Sequence, residues 1–206
     1  MIKMNPEDER EFQNIYALFN EKIHRYLARM INETEAEDLT QEVFVKISRG
    51  LKDFEKKSSL TTWIYQIATN TALDRLRAFS LQKEASDIQR ENEEGEVGDT
   101  YLQAKDHKPS LEATLIKREM NDCIRSIVEG LQENYRTVLV LSDFEELTNA
   151  EITDILGISL DTVKIRLHRA RTRLRKQLKA QCAFYRDERN ELACERTPTS
   201  LIFLNK

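Results

Sequence analysis

The chain has 206 residues, 40% hydrophobic and 33% charged, with a formal net charge of −4. That length fits one large domain or two small ones, and the apolar content excludes a wholly disordered chain. No apolar run is long enough to span a membrane and Met1 to Arg10 is polar and acidic, which indicates a cytoplasmic protein with no membrane insertion.

Five glycines and three prolines are few for this length, and their positions punctuate helices rather than strands. In chain order, Phe12, Ile15, Tyr16, Phe19, Ile23, Tyr26, Leu27 and Met30 keep to one face of a long first helix. Leu39, Val43, Ile47 and Leu51 repeat every four residues in a second helix, with Gly50 as its stop. A third runs through Leu60, Trp63, Ile64, Ile67, Ala68, Ala72 and Leu76. Residues 81–110 lack this period, and Glu84 to Asp99 holds seven acids against one Arg, the composition of a flexible acidic linker. Leu111, Leu115, Ile124, Ile127, Val128 and Leu131 mark a fourth helix after Pro109. The run Val138 to Leu141 has the composition of a buried strand, but it lies between Tyr135 and Phe144 without turn residues, so helix is expected.

The strongest local signal follows. Thr148 and Glu151 have capping-box spacing, Gly157 permits a left-handed turn, and Ser159 is a ready cap for the next helix. Ile152, Leu156, Ile158, Val163 and Leu167 supply a small core between two steeply crossed helices. From Asp161 to Lys179 there are eight Lys or Arg and one acid, so the negative total conceals a strongly basic face. A basic helix presented by a helix-turn-helix fits the DNA major groove. The fold class expected is all-α: two small helical domains joined by a flexible acidic linker.

The blocks Ala36 to Phe44 and Trp63 to Asn70 with Asp74 and Arg77, then Leu131, Tyr135-Arg136, Glu151-Ile152, Leu156 to Ser159 and Thr162 to Arg171, together resemble a bacterial RNA polymerase sigma factor of the extracytoplasmic-function type. The resemblance covers about residues 10–80 and 111–180. It implies a region-two-like domain over 1–80, the linker over 81–110, a region-four-like helix-turn-helix domain over 111–181 and a tail over 182–206. Such a protein binds core RNA polymerase as a monomer, directs it to promoter DNA, opens the duplex without nucleotide hydrolysis, and is held by an anti-sigma factor.

The resemblance also implies roles for residues. Asp38, Leu39, Gln41 and Glu42 would dock on the polymerase, where the spacing alone favours a solvated acidic face. Lys56, Lys57, Arg75 and Arg77 would contact the minus-ten backbone, and Asn70 a base or sugar edge. Trp63 reads either as a base-stacking platform or as a core tryptophan, and its spacing with Ile67 favours the core. Thr162, Lys164, Ile165, His168 and Arg169 would face the minus-thirty-five element, with Thr148, Asn149, Arg166 and Arg171 on phosphates. The acidic linker is either a solvated tether or a segment that threads the RNA exit path of the polymerase.

Gln132 stands where many relatives of that family have proline, which predicts a softer start to the following helix. The three cysteines, Cys123, Cys182 and Cys194, are an odd set without regular spacing, so a disulfide framework is not expected. Cys182 and Cys194 form a candidate metal or redox pair, although a plain amphipathic tail is the favoured reading and no metal or other cofactor is expected. The three histidines, His24, His107 and His168, are scattered, and there is no nucleophile–base pair or Gly-rich phosphate loop, so the chain does not read as an enzyme. The alternative function is a conventional helix-turn-helix regulator that binds an operator without polymerase.

Overall fold

The computed structural model describes residues 5–87, 121, 123–186 and 192–196. Helix α1 spans Pro6–Met30, and Asn5 caps it by accepting the Asp8 amide at 2.8 Å. Pro6 in the first turn lacks only a donor that would have no helical partner. Helix α2 spans Glu33–Gly50, with Asn32 accepting the Glu35 amide at 2.8 Å. A single 3-10 turn, Leu51–Asp53, leads into the loop before α3, Leu60–Asp87. Ser59 starts α3 by accepting the Thr62 amide at 3.0 Å.

Helix α3 thus runs seven residues into the segment expected to be linker, because nothing between Leu81 and Asp87 is glycine or proline. The rest of the expected linker, and Leu111 and Leu115, lie outside the described residues.

The second half begins with α4, helical over residues 123–129. Helix α5, Glu133–Leu139, continues as a π-helical turn, Val140–Phe144, so the ambiguous apolar run is helical and completely buried. Helix α6, Asn149–Leu156, carries the full capping box of Thr148 and Glu151. Gly157 ends it at φ +62, a conformation glycine adopts without a Cβ clash. Ser159 then caps α7, Leu160–Gln181, by accepting the Thr162 amide at 3.2 Å. Gln132 precedes α5 without capping it; its side chain instead accepts from Arg173 at 3.1 Å, tying that helix start to α7.

After α7 the tail forms an antiparallel hairpin of β1, Cys182–Arg186, and β2, Leu192–Arg196. The two domains are helical, and this hairpin is an addition the amphipathic tail did not reveal. Cys182 pairs with Arg196 while Cys194 pairs with Phe184, two rungs away. The two cysteines are therefore diagonal to each other in the ladder rather than directly opposite.

One apolar core runs through both halves, from Ile23, Leu27, Leu39 and Ile47 to Leu139, Leu141, Ile152 and Val163. A polar chain crosses the same junction. Tyr26 and Thr69 share a buried hydroxyl hydrogen bond of 2.7 Å, and Tyr26 packs edge-on against Tyr65 at 5.3 Å between ring centres. Tyr65 donates to Glu145 Oε2 at 2.5 Å, and Arg29 donates to Glu145 Oε1 at 3.0 Å. Burial pushes the phenols of Tyr26 and Tyr65 far above their ordinary range, and for Tyr65 the Glu145 carboxylate adds to it.

Candidate nucleic-acid interface

Helix α7 is held by a narrow seam. Val163, Leu167 and Ala170 are buried, and Leu174 and Leu178 continue the stripe half-buried. The opposite face exposes Lys164, Ile165, His168 and Arg169, while Thr162 and Arg166 lie half-buried at its margin. Ile165 is 51% exposed, a large apolar side chain standing among cations with no protein partner to cover it. Among the described residues no ion pair engages Lys164, Arg166 or Arg169, so their charge faces solvent. Thr148 is exposed and Asn149 half-buried at the start of α6, beside this face.

Arg171 differs from its neighbours. Its guanidinium forks onto Asp143, at 3.1 Å from Nε and 2.5 Å from a terminal nitrogen, and also reaches Ser142. That hydrogen-bonded carboxylate raises its pKa and fastens α7 to the π-helical turn. Arg173 lies over the Tyr135 ring at 4.4 Å, a second cationic tie of α7 to α5. Charge counting along α7 missed this division between free and tethered arginines, because the partners come from a different element.

The sequence-predicted minus-ten residues are spread along α3 and the loop before it. Lys56 and Lys57 are exposed, Lys56 at φ +55 in the left-handed region and Lys57 paired with Glu55. Trp63 is half-buried: its ring packs on Phe54 at 4.9 Å, and its edge lies so close to Gly50 that a Cβ there would meet it at 3.1 Å. Trp63 and the exposed Asn70 line one shallow pocket together with Lys46, Asp53, Ile67 and Thr71. Trp63 thus packs against Phe54 and Gly50 and, with Gly50, also lines the pocket.

Arg75 does not line that pocket. It pairs with Glu35 at 2.5 Å and lies 3.9 Å from Glu42, so α3 is tied to α2 through a residue expected on DNA. Arg77 is exposed and pairs with Asp74 within its own helix. On α2, Asp38 and Gln41 are exposed and Glu42 is half-exposed, bonded to Lys46 at 2.8 Å. Leu39 is 0% exposed, which corrects its expected place in a polymerase contact. It belongs to the core, and its part is to anchor the face that Asp38 and Gln41 present. Its periodicity with Val43, Ile47 and Leu51 had already put it on the apolar stripe, and only the resemblance gave it a docking role.

Two family models match the chain: the sigma-70 region 2 model over residues 15–80 and the sigma-70 region 4 model over residues 121–174. The chain is 36% identical over 175 residues to the ECF RNA polymerase sigma factor SigW of Bacillus subtilis, covering 84% of this chain and 91% of that protein. The chain belongs to the extracytoplasmic-function sigma factors. It is also 33% identical to the RNA polymerase sigma-H factor of Pseudomonas aeruginosa over 83% of this chain and 88% of that one. As a sigma factor it is a transcription initiation factor that binds core RNA polymerase and directs it to promoters.

Solved structures share the fold of this sigma factor. The sigma factor RpoE from Bartonella quintana, solved with the anti-sigma factor NepR, superposes with a TM-score of 0.65 at 20% identity, over 82% of this chain and 98% of that one. CnrH, solved with the cytosolic domain of CnrY, gives 0.58 at 21% identity, over 84% and 90%. Among the described residues of this sigma factor, no helix is long and apolar enough to cross a membrane.

Proposed function

We propose that the two domains divide the promoter between them, residues 1–80 taking the polymerase and the minus-ten element, and 111–181 the minus-thirty-five element. The observation that carries this reading is the exposed face of α7, where Lys164, Ile165, His168 and Arg169 stand unpaired on a capped helix-turn-helix. Thr162 joins them; Arg169 donates to a base edge and Ile165 meets a thymine methyl. Arg166, Thr148 and Asn149 hold phosphates, while Arg171 acts through Asp143 by fixing the angle of α7.

In the first domain, Asn70 and the exposed edge of Trp63 receive an unstacked base, with Lys56, Lys57 and Arg77 on the backbone. Asp38, Gln41 and Glu42 dock on the polymerase. The work is binding rather than catalysis: captured single-stranded bases offset the cost of unpairing them, and the chain acts in the cytoplasm as a monomer on polymerase. An anti-sigma factor is a further expected partner, which agrees with the form in which the Bartonella quintana sigma factor was solved.

The packed arrangement of the domains opens for this work. Elements about 25 base pairs apart lie roughly 85 Å apart at about 3.4 Å per pair. Helix α7, the longest reach of the second domain, measures only about 33 Å at 1.5 Å per residue. The Arg29–Glu145–Tyr65 contact is then a latch that is released on polymerase.

Gel-shift titration of promoter fragments, with the chain alone and with core polymerase, tests the proposal. Tight binding is expected only with polymerase. Tight binding by the chain alone, as a dimer on a palindrome, would move the reading to a conventional regulator.

A further inference from the structure

We infer that Cys123 and Cys182 form a site of reversible oxidation, in which a hydroperoxide converts the two thiols to a disulfide that staples the helix-turn-helix domain shut. The two residues are 59 positions apart in the chain, yet their sulfurs lie 2.7 Å from each other. Both residues are buried, at 2% and 4% exposure. A bond at about 2.05 Å requires the sulfurs to approach by only about 0.7 Å.

Their placement gives the bond a consequence. Cys123 opens the described part of α4, the first helix of the second domain, and Cys182 lies where α7 ends and β1 begins. Around them is a small apolar cluster, Ile127 with Leu174 and Leu178, and Leu174 also packs against the main core. A covalent link there encloses α4, α5, α6 and α7 in one loop. Cross-linking across so long a loop restricts the unfolded chain strongly and stabilises the folded one.

The chemistry balances with the peroxide as oxidant. One thiolate attacks a peroxide oxygen, becoming a sulfenic acid as the O–O bond breaks and water leaves. The second thiol attacks that sulfur, the S–S bond forms, and a second water departs. Two thiols and one hydrogen peroxide give one disulfide and two waters, with two electrons passing from sulfur to oxygen. Local opening at the junction of α7 and β1 admits the small oxidant, since element ends open at a lower free energy than core segments. The bond reverses by thiol exchange.

The test uses the full chain treated with hydrogen peroxide, then alkylated, digested and mapped by mass spectrometry without reduction. A cross-linked peptide joining Cys123 to Cys182 is expected, persisting in Cys194→Ser and absent in Cys123→Ala and Cys182→Ala. The oxidised wild type should melt several degrees higher than the reduced form, and dithiothreitol should abolish the difference. Over-oxidised monomeric cysteines, or a bridge from Cys182 to Cys194, would overturn the site. A mapped Cys123–Cys182 bond with no rise in melting temperature would overturn the staple.

Discussion

Helices α3 and α7 are both expected to meet DNA, yet they are built in opposite ways. Helix α7 rests on the apolar seam of Val163, Leu167 and Ala170 and gives the rest of its circumference to solvent and charge. Helix α3 is packed on several sides: Ile64, Tyr65, Ala68 and Ala72 are buried, and so are the polar Thr62, Thr69 and Thr71. Its inward polar groups are satisfied within the protein, as where Lys46 donates to Thr71 at 3.0 Å and Tyr26 meets Thr69. A helix that reads duplex DNA from outside can display its function as charge. A helix that captures single bases needs pockets, and pockets are made of packing.

The sharpest way to break this contrast is to cut the seam. Leu167→Ala removes a side chain that is 4% exposed from the narrowest part of α7 and should cost about 2–5 kcal/mol. Differential scanning calorimetry should show the second domain melting first. A single transition at the wild-type temperature would mean that α7 is held by more than its seam.

Loosening the junction between the domains comes next. Glu145→Gln removes the charge that accepts from Arg29 and Tyr65, a loss of about 1.5–3 kcal/mol for hydrogen bonds to an ionised group. Small-angle scattering of the variant should report a larger radius of gyration than the wild type; an unchanged radius would count against the latch. The same contact responds to alkali. The phenols of Tyr65 and Tyr26 are raised in the folded state, so their contribution is complete below about pH 10 and is lost as pH rises beyond that.

A paired substitution on α7 then separates its two kinds of arginine. Arg169→Ala should cost about 1–3 kcal/mol of binding by the polymerase complex at one base position and leave the melting temperature unchanged. Arg171→Ala should cost about 0–1 kcal/mol of stability, because its bond to Asp143 is partly exposed, and should change affinity across all sequences alike. Quantitative binding to a promoter library together with thermal melts checks both, and a swap of the two patterns would reverse the assignment. Smallest is the cap: Ser159→Ala should lower stability by about 1 kcal/mol in urea unfolding and leave base preference untouched.

Much of this fold was legible beforehand because it is written in local rules. The capping box of Thr148 and Glu151, the left-handed Gly157 and the Ser159 cap all stand as spacing and residue type predict. What spacing could not reveal were relations between distant segments. Arg75 looked like a phosphate contact and is bound to Glu35. Glu145 attracted no notice as one acid among many, because its partners Arg29 and Tyr65 belong to the other domain. The hairpin escaped for a related reason: strand pairing joins residues whose alternation is too short to stand out in a charged tail.

The most direct test of the account is run-off transcription with purified core polymerase on genomic promoter fragments, with and without this chain. Initiation is expected at discrete start sites only when the chain is present, and is lost when either upstream element is scrambled. Initiation without dependence on the chain, or equal transcription from templates with both elements scrambled, would contradict it.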